Sequence, residues 1–169
     1  MFEKVMQLDF WAIAEGRVPP PPSARLVGWR FLGLDDGGIL SCSFEATEAL
    51  LNPAGLVQGG ILATMLDEAM GPVVAAISRE RIFTQTLEMK ISYMRAAGIG
   101  TIFGEGRILH RGRSIVFLEG RLLDPERKLI AIATATARVT PIDLLKKRRS
   151  GSTDASQLRS HERRRLRAS

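Results

Sequence analysis

Histidine is almost missing from this 169-residue chain, with only His110 and His161 present. A His-rich metal site therefore has no ligands to draw on, and no metal or other cofactor is expected. Neither a Ser-His-Asp nor a Cys-His arrangement has local support. Cysteine is equally scarce. Cys42 stands alone, so no internal disulfide can form, and a reducing, cytoplasmic setting is expected. No run reads as the roughly 20 apolar residues a bilayer span needs, and mean hydropathy is only +0.03. Glu3, Asp9 and Glu15 interrupt the apolar N-terminal stretch, which argues against a signal peptide.

Charge is plentiful but unevenly placed. The net charge is +6, yet residues 146–169 hold nine basic and two acidic side chains, and the remainder is nearly neutral. The basic character thus belongs to a tail, and 142–169 reads as a disordered segment. Such a tail could touch nucleic acid or anionic lipid. No aromatic residue interleaves its charges for base stacking, so a solvated tail is the preferred reading.

Ahead of the tail, one domain is expected. Residues 2–16 pattern as an amphipathic helix ending at Gly16, and Pro19–Pro22 as a stiff extended link, so 1–22 forms an N-terminal unit. From 23 to 141 the pattern is mixed. Leu26–Leu34 and Ile39–Ala46 alternate like strands around an Asp35-Asp36-Gly37-Gly38 turn. Glu48–Leu51 reads as a short helical turn. Phe83–Met94, Gly100–His110, Ser114–Asp124 and Lys128–Val139 read as four more strands, the last with alanine along one face. Without repeated βαβ units a doubly wound sheet is disfavoured. An α+β fold follows: one long helix wrapped by a single antiparallel sheet of about six strands, whose free edges favour a second copy.

The helix begins within Asn52–Gly71, N-P-A-G-L-V-Q-G-G-I-L-A-T-M-L-D-E-A-M-G. Ile61, Leu62, Met65, Leu66, Ala69, Met70, Val73 and Val74 recur at helical spacing, while Gly60, Thr64, Asp67 and Gly71 line the opposite side. Pro72 should kink the helix. The first turn of a helix has N–H groups without partners and the positive end of the dipole. Gly59 and Gly60 would let an oxygen approach those groups, as an oxyanion site requires. A carboxylate two turns on, at Asp67, reads as a buried acid with a task.

The run N-x-x-G-x-x-Q-G-G followed by Asp67 resembles the hotdog-fold acyl-CoA thioesterases of the PaaI-like branch, from about Leu26 to Val139. That branch usually has His where Gln58 stands. The resemblance implies a dimer or tetramer with sites between subunits, hydrolysing an acyl-CoA to acid and CoA. It implies Asp67 as nucleophile or general base and Gly60, with Gly59, as carbonyl-binding donors. It also implies Asn52 as organiser of the thioester carbonyl and Thr86 as a water-positioning hydroxyl. Gln58 can donate a hydrogen bond as His does, but cannot carry a proton; a binding protein without catalysis is the alternative. Arg111 and Arg113, in H-R-G-R-S, resemble the family's turn for CoA phosphates, with Arg95 a lesser candidate. Alternation places Thr86 on the face opposite Leu87 and Met89. Glu68 points about 100° from Asp67 and reads as structural, with a salt bridge as its expected partner.

Overall fold

The computed structural model describes residues 9–144. Two short helices come first, α1 (Phe10–Ala14) and α2 (Pro22–Leu26), then strands β1 (Arg30–Leu34) and β2 (Leu40–Ala46) and a 3₁₀ turn (Glu48–Leu50). The long helix follows as α3 (Gly59–Met70) and α4 (Val73–Ser78), and the chain closes with β3 (Ile82–Tyr93), β4 (Gly100–Arg111), β5 (Ile115–Leu123) and β6 (Leu129–Pro141). All pairings are antiparallel, in the order β1-β2-β4-β5-β6-β3. One central helix packed on a six-stranded antiparallel sheet is the hotdog fold.

The helix can lie close because glycine lines its bed. Gly106 of β4 pairs with Gly120 of β5. A Cβ on Gly106 would stand 2.2 Å from the Ala69 carbonyl oxygen, and one on Gly120 would stand 2.6 Å from Met70 Cγ. Leu62, Met65, Leu66, Ala69 and Met70 fill the resulting saddle together with Leu40, Phe44, Leu118 and Leu122. By length and composition Gly59–Ser78 could cross a membrane, being 20 residues of mean hydropathy 1.4. That corrects the reading that no run approaches a span; here the apolar surface is spent on the sheet. Pro72 has no N–H to donate, and the helix is interrupted at Gly71-Pro72 before resuming as α4.

Three other expectations are corrected. The first strand does not start at Leu26. Pro22 sits in the first turn of α2, where its missing N–H is harmless. Gly28, at φ +64°, then turns the chain against β2, with its Cβ position 2.7 Å from Glu45 Cβ, so pairing begins only at Arg30. Of the helix expected over 2–16, α1 covers Phe10–Ala14, capped by Asp9 Oδ1 on the N–H groups of Trp11 (3.1 Å) and Ala12 (3.2 Å); residues 2–8 lie outside the described part. Finally, Leu87 does not share a face with Met89. The β3–β6 register skips it, pairing Thr86 with Ala137 and Glu88 with Thr136. This bulge leaves Leu87 exposed and returns Thr86 to the same inward face as Met89 and Ile91.

The packed body extends through Ile142, which is buried and donates its N–H to Arg81 O (3.1 Å). The basic residues from Lys146 onward lie outside the described part.

Candidate active site

Asp67 is exposed rather than buried. The sheet covers the apolar side of α3, and the Gly60–Thr64–Asp67–Gly71 line is left on the open side. Its partner is Thr86, whose Oγ1 donates to Asp67 Oδ1 at 2.6 Å. The bulge at Leu87 is what aims Thr86 at the helix; unbroken alternation from Met89 would have turned it away.

Asp67 and Thr86 stand at the edge of a cleft of about 480 Å³. Along α3 and α4 it is walled by Glu68, Pro72 and Ala75, along β3 by Ile82 to Thr86, and on its third side by Phe10, Ile13, Pro21 and Ser23. Ser23, Asp67, Glu68 and Thr86 gather at one end, and the rest is mostly apolar apart from Gln85 and Thr84, whose buried hydroxyl has no partner among the described residues. Glu68 forms no salt bridge among the described residues. It accepts a hydrogen bond from Ser23 Oγ at 2.6 Å, tying α2 to α3. Burial, opposed by that hydrogen bond and reinforced by the Asp67 charge, holds the Glu68 carboxyl above the usual carboxylate range.

The start of α3 opens onto a different hollow of about 350 Å³, lined by Asn52, Leu56, Gly59, Tyr93 and Arg95 among others. Gln58 is the helix cap, its Oε1 accepting from Ile61 N at 3.1 Å. That leaves the Gly59 and Gly60 N–H groups with no acceptor among the described residues. A Cβ on Gly60 would lie 2.8 Å from Gln58 Oε1, so glycine there keeps the cap in place. The Tyr93 hydroxyl donates to Gly59 O at 2.9 Å and fixes the other side of the same turn. Asn52 Oδ1 accepts from Ala54 N (2.9 Å) and Leu56 N (3.2 Å), so its oxygen shapes the loop.

The predicted residues therefore fall into separate groups within one chain. Asp67 and Thr86 meet at the cleft. Asn52, Gly59 and Arg95 line the hollow, with Gln58 and Gly60 at the adjoining helix start. Seven residues of α3 separate Gly60 from Asp67, about 10 Å of rise. Arg111 pairs with Glu80 at 3.4 Å and lines neither site. Arg113 is exposed in the β4–β5 turn. Cys42 is no nucleophile: it is fully buried, its thiol points at Gly104 O (3.5 Å), and burial pushes that thiol up. No cluster of three metal-ligating side chains occurs among the described residues.

Sequence reasoning missed Ser23 and Tyr93. Ser23 carried no signal beyond following four prolines. Tyr93 is the sole tyrosine of the chain, and its place at the end of an edge strand beside the Gly-Gly turn was a usable clue.

Residues 54–131 match the thioesterase superfamily model. Among solved structures, the chain is similar to a candidate thioesterase of Ralstonia eutropha JMP134, a phenylacetic acid degradation-related protein. The two are 35% identical over 77% of this chain and 98% of the other, with a TM-score of 0.72. A conserved protein of Pseudomonas aeruginosa is 27% identical over 72% of this chain and 95% of its own, with a TM-score of 0.64. A Streptococcus mutans protein solved with acetyl-CoA is 26% identical over 67% and 89%, with a TM-score of 0.60. No curated protein matches the chain. Fold, helix-start motif and the 35% identical relative agree that this chain belongs to the hotdog-fold thioesterase superfamily, on its PaaI-like branch.

Proposed function

We propose that the protein is an acyl-CoA thioesterase, working as a homodimer or larger homo-oligomer whose sites lie between subunits. The observation that carries this is the Thr86–Asp67 hydrogen bond at the edge of an apolar cleft. Thr86 occupies one carboxylate oxygen and leaves Oδ2 to act. As a base, Oδ2 takes a proton from water while the hydroxide adds to the thioester carbon. As a nucleophile, it adds directly and gives an acyl anhydride that water then opens. Either way the carbonyl oxygen becomes an oxyanion, and collapse expels the CoA thiolate. An N–H donor at that oxygen is worth about 3 kcal/mol.

Gly60 is the donor in this reading, supplied by the other subunit, since within one chain it stands about 10 Å from Asp67 along the same side of α3. Two features support a second copy. β3 is a 12-residue edge strand exposing Phe83, Leu87 and Tyr93, and such an edge calls for cover. The small residues on the open side of α3 would admit a second helix. The CoA moiety enters by way of the Asn52–Gly59 hollow, where Arg95 rather than Arg111 offers charge to its phosphates. The relative solved with acetyl-CoA agrees with this ligand class.

Thiol release from a panel of acyl-CoA esters tests the reading. Asp67→Ala should abolish release while circular dichroism stays unchanged; full turnover in that variant discards the assignment. The use of Gln58 as a cap in place of an ionisable His favours one rival, a binding protein without chemistry. Tight acyl-CoA binding with no thiol release would establish the rival.

A further inference from the structure

The superfamily match begins at residue 54, yet one wall of the cleft comes from residues 10–24. That wall is firmly held. Phe10 packs edge-on against Trp29 (6.5 Å) and Phe31 (5.5 Å), and the Arg79 guanidinium lies 5.2 Å above the Trp11 ring. At the near end, Ser23 is hydrogen-bonded to Glu68. Phe10 and Ile13 are only partly buried, and both line the cleft.

The direction of the cleft follows from its lining. Along the helix it runs from Asp67 to Ala75, and along β3 from Thr86 back to Ile82. Eight residues of helical rise make this about 12 Å, the extended length of an acyl chain of roughly ten carbons. The reacting acid lies at one end, and α1 packs by α4 at the other. Among the described residues no basic side chain lines the cleft, so none of them would pair with a second carboxylate at the far end of the acyl group.

We propose that this cleft holds a medium-length aliphatic acyl chain and that Phe10 and Ile13 of α1 close its far end, setting the chain length accepted. This deepens the acyl-CoA reading above and rests on it for the nature of the ligand. Phe10→Ala opens the end and admits more methylenes. Ile13→Trp fills the end and admits fewer. Each buried methylene is worth about fourfold in affinity, so two gained or lost change preference by about fifteenfold.

The test uses S-hexyl-CoA and S-dodecyl-CoA, thioethers that bind without turnover, with Kd measured by calorimetry on the full-length protein. The dodecyl-to-hexyl affinity ratio should rise about tenfold or more in Phe10→Ala and fall by a similar factor in Ile13→Trp. Opposite shifts cannot come from general loosening of the fold. An unchanged ratio in a folded Ile13→Trp overturns the proposal, as does equal wild-type affinity for both thioethers, which would mean that protein already fills the cleft. Failure of the wild type to release thiol from acyl-CoA esters overturns the catalytic reading and leaves this ratio to be judged by itself. No binding of either thioether overturns this proposal, while thiol release from acyl-CoA esters still decides the catalytic reading.

Discussion

Asp67 and Glu68 are neighbours in sequence with opposite circumstances. Asp67 is exposed and tied to Thr86; Glu68 is half-buried and tied to Ser23. A hydrogen bond to a charged group contributes about 1.5–3 kcal/mol. If Thr86 holds the acting carboxylate in place, Thr86→Ala should lower kcat roughly 10–100-fold with little change in KM. Thr86→Ser should restore most of it, and equal rates in wild type and Thr86→Ala would remove Thr86 from the site. For Glu68 the sign is the reverse of the usual carboxylate. Its folded pKa is raised above that of a free glutamate, about 4.5, burial being the main cause. The folded state therefore binds the proton more tightly than the unfolded state. The contribution to stability is fully present below pH 4.5 and is lost as pH rises through the folded value. Glu68→Gln keeps an acceptor for Ser23 without the charge. It should raise Tm relative to wild type at pH 7, and the difference should vanish near pH 4; an equal gain at both values would mean that charge is not the cause. The sequence identified Asp67 by motif, but not its exposure. Which side of an apolar helix the sheet leaves open is decided by the sheet, not by the helix's own spacing.

At the scale of elements, strands β4, β5 and β6 were legible because each runs for nine or more residues between turn signals, and most of β5 and β6 alternates. The bulge at Leu87 was not. One inserted residue leaves both halves of β3 alternating and only shifts their phase, and that phase decides whether Thr86 meets Asp67. The N-terminal strand was misjudged for a related reason: Val27 and Trp29 are buried around a turn at Gly28, where Val27 O accepts from Glu45 N ahead of the paired ladder. The glycines under the helix also passed unnoticed, since isolated glycines in strands usually signal weakness. Here they set the depth at which α3 sits. Gly106→Ala places a methyl carbon 2.2 Å from a backbone oxygen, which only lifting the helix can relieve. The expected loss is about 3 kcal/mol, read as a lower urea midpoint. Gly33→Ala, with nothing within 4 Å of the new carbon, should stay within about 0.5 kcal/mol of wild type. Equal midpoints for the two would show that the bed yields.

For the whole molecule, the separation of Gly60 from Asp67 becomes an experiment. Under two-fold symmetry each residue of a subunit meets the complementary surface of the other, so each site would combine Asp67 of one chain with the Gly60 N–H of its mate. Asp67→Ala removes the acid from both sites of a homodimer. Gly60→Pro removes the N–H donor from both, at a first-turn position where a helix tolerates proline, and its ring also crowds the Gln58 cap. Each variant alone should be nearly inactive. After subunit exchange between equal amounts of the two, half the dimers are hybrids. Each hybrid has one site with both defects and one with neither. Activity should therefore recover to about a quarter of wild type, with hybrid dimers counted by native mass spectrometry. If hybrids form and activity stays at the level of the parents, acid and donor belong to the same chain. The 10 Å between them along α3 would then have to be spanned by the substrate within one subunit.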